Sequence, residues 1–330
     1  MKIIQLKNYT PSQMTGFIVI TEGRQIVVVD GGNTGDTEGF LARLRKAAQE
    51  FGCEYRIDLW LLTHPHDDHY GVFRRFSQLQ RMGRGDLPAV AKFAYFPLPD
   101  CLGMAEHPSL GWQLPELNSE LAVTNITLYK YNKGDRFVFG DLTIDILRVP
   151  NPNITVNTFN NSSAVIRFTE KRRTGDNKPN VSSSDGNVSG VSGSDGNVSG
   201  GSGSGSNGND KICGSGDFVW LVLGDLGVEG GRELLSMYPE KLNADAVQMA
   251  HHGQNGVDRP VYEAIHPRFA FWTTPDWLWT NTLPGGEPGK GPWATLTVRS
   301  WMDEIGAYPI RAAANDLMLD TITETVTALD

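Results

Sequence analysis

The sequence contains little cysteine and no long apolar run. Its cysteines, Cys53, Cys101 and Cys213, are too few and too scattered for a disulfide framework, and they are not spaced as a zinc knuckle. No segment approaches the roughly 20 apolar residues that a membrane-spanning helix requires. Residues 1–13 lack the apolar core of a signal peptide. These absences predict a soluble, cytoplasmic protein that has no membrane partner.

Positive charge is also scarce. The net charge of −9 over 330 residues disfavours a broad electrostatic footprint on nucleic acid, although it leaves room for a local basic patch. The apolar content of 39% is sufficient for a globular core. We therefore predict a single domain over residues 1–330, and the sequence leaves its oligomeric state open.

Residues 171–216 differ in composition from the rest of the chain and consist mainly of Gly, Ser, Asn and Asp. The heptapeptide Ser-Asp-Gly-Asn-Val-Ser-Gly occurs at residues 184–190 and again at 194–200. Such a segment cannot bury enough apolar area to offset the entropy lost on ordering, so we predict a flexible insertion between two neighbouring strands. A calcium-binding repeat is the weaker interpretation, because two copies are too few to stack as a solenoid.

Apolar periodicity and turn residues outline the remaining elements. Strands come first and then alternate with helices, which indicates a mixed fold with buried sheets. Strands are predicted at 2–9, 16–20, 25–29, 57–63, 89–96, 137–139, 142–147, 164–168, 218–223, 244–250 and 268–272, and near 310 and 317. Helices are predicted at about 36–51, 71–82, 114–123 and 232–238, near 261, and at 293–305.

The densest cluster of polar side chains is His64-Pro65-His66-Asp67-Asp68-His69, between an apolar strand and a helix. Neutral imidazole and carboxylate are ligands for Zn²⁺, Fe²⁺ or Mn²⁺. The proline keeps His64 extended, so the rings of His64 and His66 point to the same side. Asp68 and His69 are adjacent and diverge unless the chain turns between them. We interpret the two ligand sets as favouring two neighbouring ions over a polar surface loop.

Three other strand ends carry side chains that could complete such a site. Asp225 follows the strand at 218–223, and His251-His252-Gly253 follows the strand at 244–250. A Gly-Asp strand end is weak evidence by itself, but it is strong when combined with the two histidine motifs. Asp30 ends the strand at 25–29, where it is either a plain turn residue or an outer partner of the metal ligands.

The pattern H-x-H-x-D-H at 64–69 resembles the metallo-β-lactamase superfamily of binuclear metallohydrolases. The further order of N-x-x-S before a strand, Gly-Asp after the next strand, and then His-His-Gly is similar to domains related to the competence protein ComEC, and to bacterial phosphorylcholine esterases. The resemblance covers residues 15–319 apart from the insertion. It implies an α+β fold, namely a four-layer αββα sandwich.

The resemblance also implies two divalent ions, with zinc expected first and manganese or iron as alternatives. One ion would be held by His64, His66 and Asp225. The other would share Asp225, with His252 favoured over His251 as its histidine from the downstream pair. The implied ligands together are His64, His66, Asp68, His69, Asp225 and His252, and the implied catalytic residues are Asp68 and His251.

One ligand of the lactamase-type members is missing. Those proteins supply another histidine between the first cluster and the bridging aspartate, whereas this chain has Asn160-Asn161-Ser162-Ser163 there and no histidine between His107 and His251. The ion at His64 and His66 therefore loses an imidazole, and water would complete its coordination or leave it weakly held. This difference disfavours β-lactam hydrolysis and predicts a mixed or labile metal content.

The expected function is metal-dependent hydrolysis of a phosphodiester or phosphate ester. Two cations lower the pKa of a bridging water and generate hydroxide, Asp68 orients this nucleophile, and His251 stabilises charge or protonates the leaving group. The ComEC resemblance implies a nuclease, but the negative charge of the chain disfavours one. A small organophosphate diester is compatible with this charge.

Three alternatives remain: an acyl or thioester hydrolase, an inactive metal-binding module, and a di-iron oxidoreductase, which would carry glutamate in place of His66. The tryptophans at 272, 277, 279 and 293 are interpreted as packing residues rather than as a cage for a quaternary amine.

Overall fold

The computed structural model describes residues 1–100, 102, 111–172 and 216–330. The strands are β1 (Lys2–Gln5), β2 (Gly16–Ile20), β3 (Ile26–Asp30), β4 (Arg56–Ile57), β5 (Leu59–Leu61), β6 (Ala89–Val90), β7 (Phe93–Tyr95), β8 (Leu128–Lys130), β9 (Arg136–Phe139), β10 (Leu142–Arg148), β11 (Val165–Glu170), β12 (Phe218–Val222), β13 (Ala246–Gln248), β14 (Phe269–Phe271), β15 (Tyr308–Ile310), β16 (Asp316–Asp320) and β17 (Thr325–Leu329).

Helices cover both outer faces of the sheets. They are α1 (Thr37–Phe51), α2 (Asp67–Arg81), α3 (Gln113–Val123), α4 (Thr158–Asn161), α5 (Val228–Met237), α6 (Arg259–Ile265), α7 (Asp276–Trp279) and α8 (Thr295–Ile305). Two 3₁₀ turns, Thr34–Asp36 and Ala250–Gly253, lie close to the ends of strands β3 and β13.

The strands form two large mixed sheets and one small one. The first large sheet has the order β17-β16-β1-β2-β3-β5-β7-β8, the second has the order β15-β14-β13-β12-β11-β10-β9, and β4 pairs with β6. In the first sheet β3, β5, β7 and β8 run parallel, and in the second β12 to β15 do. Parallel strands bring their carboxyl ends to one edge of a sheet, where α/β proteins place their sites.

Three apolar clusters fill the spaces between these layers. Alternate residues of strand β3 pack into different clusters. Val28 faces helices α1 to α3, whereas Val27 and Val29 face the second sheet. The third cluster joins the second sheet to α5, α6 and α8, for example through Leu221 and Val261. The order is helices, sheet, sheet, helices. The predicted four-layer αββα sandwich is therefore confirmed.

Several predicted element boundaries were wrong. The strands predicted at 57–63 and 89–96 are each divided, because β4 and β6 pair with one another while β5 and β7 join the large sheet. The helix predicted from residue 71 begins at Asp67. Sequence analysis did not find the short elements β8, β17, α4 and α7. Their register and packing depend on partners distant in the sequence, so local patterns carry little information about them.

The insertion predicted at 171–216 joins two paired strands. β11 and β12 are antiparallel neighbours, with Ile166 opposite Val222, as predicted. The body of that insertion, together with its calcium-binding alternative, lies outside the described residues. The same is true of most of the segment 101–112, for which no regular structure was predicted.

Gly71 allows α2 to lie against the turn that follows β3. A Cβ atom there would lie 2.7 Å from the carbonyl carbon of Asn33 and would also overlap the backbone nitrogen of Thr34. The neighbouring Val72 donates its N–H to the Gly32 carbonyl at 3.0 Å. Because α2 starts with Asp67, Asp68 and His69, this contact fixes the position of those side chains.

Replacing Gly71 with alanine should therefore destabilise the protein, although alanine is the better helix former. Helix propensity alone would give a gain of about 1 kcal/mol, whereas overpacking costs about 1–3 kcal/mol. Urea unfolding of Gly71→Ala would measure the difference. The control is Gly85→Ala, where a Cβ atom would meet nothing within 4 Å. Equal or greater stability of Gly71→Ala would contradict the close approach.

Candidate metal centre

The residues predicted as ligands converge at one edge of the two sheets. His64 and His66 follow β5, Asp68 and His69 lie in the first turn of α2, Asp225 follows β12, and His252 follows β13. Five of these six residues are buried, and the side chain of His66 is 12% exposed. Two strands of one sheet and one of the other therefore deliver the cluster.

The helix start explains how Asp68 and His69 reach the site. His66 is extended (ψ 145°) and caps α2, and its carbonyl accepts the N–H groups of His69 and Tyr70 at 3.0 Å. Asp68 and His69 were expected to precede a helix starting at residue 71, which was wrong, because both lie within its first turn. Carboxylates in the first turn are favoured by the helix dipole, and Asp67 and Asp68 occupy that turn. Asp67 belongs to neither ligand group.

The first group consists of His64, His66 and Asp225. The Nε2 atom of His64 lies 3.0 Å from Nδ1 of His66 and 3.6 Å from Oδ2 of Asp225. The Nδ1 atom of His66 lies 3.8 Å from the same carboxylate oxygen. These three atoms therefore face one another.

The second group consists of Asp68, His69, Asp225 and His252. His69 Nε2 lies 3.2 Å from Oδ1 of Asp225, and His252 Nε2 lies 3.0 Å from Oδ2 of Asp68. Within each group the ligand atoms lie within 4.8 Å of one another. Asp225 is the member that the two groups share, so its carboxylate is placed to bridge two cations.

Asp30 orients the histidines of this cluster. Its fully buried carboxylate accepts hydrogen bonds from Nδ1 of His69 and from the backbone N–H and hydroxyl of Thr63, each at 2.8 Å. The Thr63 hydroxyl is then free to accept from Nδ1 of His64 at 3.2 Å. In both rings Nδ1 is occupied and Nε2 faces the cluster, which is the arrangement of a metal ligand with an outer partner.

The downstream pair divides into a buried and a partly exposed histidine. His252 donates Nδ1–H to the Thr273 carbonyl at 3.0 Å, so its Nε2 faces Asp68 and Asp225. His251 belongs to neither group; its Nε2 lies 3.9 Å from Asp225, and 18% of its side chain is exposed. His252 thus lies inside the cluster and His251 at its partly exposed edge, while the assignment of His252 as the ligand stays a prediction.

The backbone at this pair is strained. His251 and His252 both adopt left-handed conformations, with φ values of 51° and 54°, which residues other than glycine rarely do. Gly253 follows with φ 76°, and a Cβ atom there would overlap the indole of Trp272. The His-His-Gly motif therefore needs its glycine for steric reasons, and the indole of Trp272 packs directly against the strained turn.

Buried opposite charges shift the acid–base equilibria of the cluster. Burial would lower the pKa of His252, but the Asp225 and Asp68 carboxylates raise it to about 9. Burial would likewise raise the pKa of Asp225, but the facing histidines, His69 foremost, hold it well below its ordinary value. Burial and the neighbouring His69 lower the pKa of His64. Without an ion, the cluster thus combines ionised carboxylates with a neutral His64 and a protonated His252, and a divalent ion bound through Nε2 of His252 would displace that proton.

The donor set fits divalent cations. Several buried atoms make no hydrogen bond of good geometry within the described residues, although they face groups of opposite charge: Nε2 of His69 and of His252, and both carboxylate oxygens of Asp225. Polar atoms buried in this way are costly unless something satisfies them. Because these atoms converge on common points, cations placed between them would supply the missing interactions. The mixture of nitrogen and oxygen donors suits zinc, manganese or iron.

An aromatic side chain lies beside the first group. Phe159, from α4, stacks on the imidazole of His66 with ring centroids 5.0 Å apart and planes inclined by 24°. Arg148 holds the end of this turn by donating to the carbonyls of Asn161 and Ser163 at 3.0 and 2.7 Å. Ser163 in turn accepts the Asp225 N–H at 2.9 Å. The segment that lacks the additional histidine is thus firmly packed against the site.

The tryptophans singled out in the sequence have packing roles. Trp272 is 1% exposed, and Trp279 has the guanidinium of Arg299 at 3.8 Å and that of Arg311 at 5.1 Å from its ring centroid. Trp277 and Trp293 contact one another, with centroids 4.9 Å apart. The indole faces are therefore engaged by protein side chains, which favours packing over a cage for a quaternary amine.

Sequence analysis missed the hydrogen-bonding partners of the ligands. Thr63, Thr15 and Thr273 surround the histidine rings, and Gln13 reaches Asp68. Thr63 could have been suspected from its position directly before His64. The other three lie in loops distant in the sequence from the ligands they contact, and no local pattern distinguishes them.

Comparison with known proteins identifies the fold of the chain. The sequence model of the metallo-β-lactamase superfamily matches residues 14–84, which include Asp30 and the motif at 64–69. The metallo-β-lactamase fold protein YhfI from Bacillus subtilis superimposes with a TM-score of 0.51 at 10% identity, over 97% of this chain and 100% of that one. The chain has the metallo-β-lactamase fold. The match to the superfamily model is confined to residues 14–84, so the comparisons establish the fold of the chain.

More distant likenesses were also found. A CmlA β-hydroxylase variant has a TM-score of 0.48 at 11% identity, over 99% of this chain and 54% of that one. The Rm3 metallo-β-lactamase has a TM-score of 0.39 at 14% identity, over 72% of each chain. Comparison of the sequence with curated proteins gives no significant match.

Two further findings concern predictions made from composition. No helix in the described part of the chain is long and apolar enough to cross a membrane. Cys53 is a free cysteine, and Cys101 and Cys213 lie outside the described residues.

Proposed function

We propose that this protein is a binuclear metal-dependent phosphodiesterase of the ComEC-related group. The observation that carries the proposal is the pair of ligand groups that share one buried carboxylate, Asp225. Two-metal sites of this kind clamp the attacking and leaving oxygens in hydrolysis of phosphate esters.

The ions that the residues fit are two divalent cations, with zinc expected first and manganese or iron as alternatives. His64, His66 and Asp225 would hold one, and Asp68, His69, Asp225 and His252 the other. When bound, such ions activate water at neutral pH and polarise the oxygen under attack.

The side chains of the protein then orient the reacting groups and transfer protons. Asp68 lies in the second group and can accept a proton or hold the nucleophile in position by a hydrogen bond. His251 is the histidine at the partly exposed edge of the cluster, 3.9 Å from Asp225. In the proposed mechanism its imidazole donates to an entering anion or to the departing oxygen. Asp30, Thr63 and the Thr273 carbonyl keep the ligand rings in one orientation.

A small phosphodiester is the substrate class that fits the remaining features best. A net charge of −9 disfavours long nucleic acids, and the chain lacks the additional histidine of the lactamase-type members. A compact anion requires only the cations and one neighbouring donor such as His251. We therefore propose a small-molecule organophosphate diester rather than a β-lactam.

The test is hydrolysis of bis-p-nitrophenyl phosphate by protein loaded with Zn²⁺ or Mn²⁺, compared with a thioester and with nitrocefin. We expect turnover of the diester and at least about a 100-fold loss in Asp68→Ala, since acid–base groups contribute that much or more. Asp67→Ala is the matched control, because this neighbouring carboxylate belongs to neither ligand group. Turnover of the thioester alone would favour an acyl hydrolase, and two bound ions without any turnover would favour a binding module.

A further inference from the structure

Gln13 contacts the catalytic aspartate from a loop that carries no other predicted site residue. Its amide Nε2 donates to Oδ2 of Asp68 at 3.2 Å. Gln13 lies between β1 and β2, more than fifty positions before the aspartate it reaches. Neither the two ligand groups nor the proposed chemistry accounts for this contact.

The loop that carries Gln13 is fixed to the cluster on several sides. Thr15 donates its backbone N–H to the Asp68 carbonyl at 3.1 Å, and Asn33 donates its side-chain amide to the Gln13 carbonyl at 2.8 Å. The indole N–H of Trp277 donates to the Pro11 carbonyl at 3.1 Å. The backbone at Gln13 is therefore held where its side chain can reach Asp68.

A second glutamine holds the amide of the first. Gln254 directly follows Gly253 and is buried, and its Nε2 donates to Oε1 of Gln13 at 3.4 Å. Accepting this bond fixes which end of the Gln13 amide points at Asp68, so that its N–H₂ group faces the carboxylate. The segment with the His251–His252 pair is thereby joined to Asp68 through two amides.

These contacts become more important when an ion is bound. In the chain as described, Oδ2 of Asp68 faces two donors, Nε2 of His252 at 3.0 Å and Nε2 of Gln13 at 3.2 Å. A histidine that ligates through Nε2 must give up the proton on that atom, because the lone pair is needed for the ion. The Nε2–H group of His252 then no longer faces Asp68. Among the described residues, the Gln13 amide is the side-chain donor that remains.

We infer that Gln13 is a positioning residue, which orients the Asp68 carboxylate for the ion shared with His69 and His252, and that Gln254 acts through Gln13. The inference rests on the proposed function only in assigning Asp68 to a metal site. Outer partners of metal ligands affect affinity in this way because they fix which ligand oxygen faces the ion.

The test measures metal affinity rather than turnover. Zn²⁺ is titrated into wild type, Gln13→Leu, Gln254→Leu and the double variant in competition with a chromophoric chelator. We expect Gln13→Leu to weaken the binding of the ion at Asp68, His69, Asp225 and His252 by about tenfold, within the range for lost outer partners. Gln254→Leu alone should weaken zinc binding less than Gln13→Leu does. In the double variant it should cause no further loss of zinc affinity, because the effects of two residues are not additive when one acts through the other.

Ser12→Ala is the control, since this exposed neighbour lies on the same loop. Unchanged zinc affinity in Gln13→Leu would overturn the inference, even if its melting temperature falls, because that is the result of a merely structural role. Additive effects of the two glutamine variants would overturn the role of Gln254. Zinc binding in the expected pattern without hydrolysis would refute the proposed function alone. A wild-type protein that binds no zinc would refute both.

Discussion

Replacing Asp225 with asparagine is expected to remove both metal ions from the protein. The carboxylate is fully buried, belongs to both ligand groups, and lies 3.2 Å from His69 and 3.6 Å from His64 and His252. The amide has the same shape but no charge, so it cannot bridge two cations. Metal analysis after dialysis should fall from two ions per chain to none. Diesterase activity should fall by more than the roughly 100-fold that loss of an outer partner costs.

The matched control for this variant is Asp145→Asn. Asp145 lies on β10 of the second sheet, as Asp225 follows β12 of the same sheet, but it is paired with Arg136 at the surface and lies outside both ligand groups. Asp145→Asn should keep both ions and full activity. If Asp225→Asn retained one ion, the carboxylate would serve a single metal. If it retained two, the assignment of both groups would be wrong.

Three of the residues that meet in the cluster could be named from the sequence because each follows a strongly apolar strand. His64, Asp225 and His252 follow buried strands that run toward the same edge of the two sheets. Their convergence therefore follows from the fold and does not depend on the local sequence around each residue. The convergence is now a structural fact, whereas the role of these side chains as ligands stays a prediction until metal is measured.

The features that escaped prediction depend on contacts between distant parts of the chain. Gln13 reaches Asp68 only because β1, β2 and α2 pack as they do, and Phe159 meets His66 through a short helix with no periodicity of its own. The start of α2 at Asp67 was also missed. A polar first turn resembles a loop when apolar spacing is the only guide.

The geometry further predicts that the two ions are held with unequal strength. The second group has four ligands, and both of its histidines are oriented through Nδ1, His69 by Asp30 at 2.8 Å and His252 by the Thr273 carbonyl at 3.0 Å. The first group has three ligands. Nε2 of His66 is buried with no hydrogen-bond partner within the described residues, and the ring lies against Phe159 instead.

Zinc titration should accordingly resolve two classes of site that differ by at least about 10–100-fold, the range that outer partners alone account for. His64→Ala should abolish the weaker class and leave the tighter one, because its ring belongs to the first group only. His252→Ala should abolish the tighter class. A single class of two equal ions would contradict the asymmetry. A tight ion that survives in His252→Ala and disappears in His64→Ala would reverse it, and would show that three ligands beside Phe159 hold a cation better than four ligands with oriented rings.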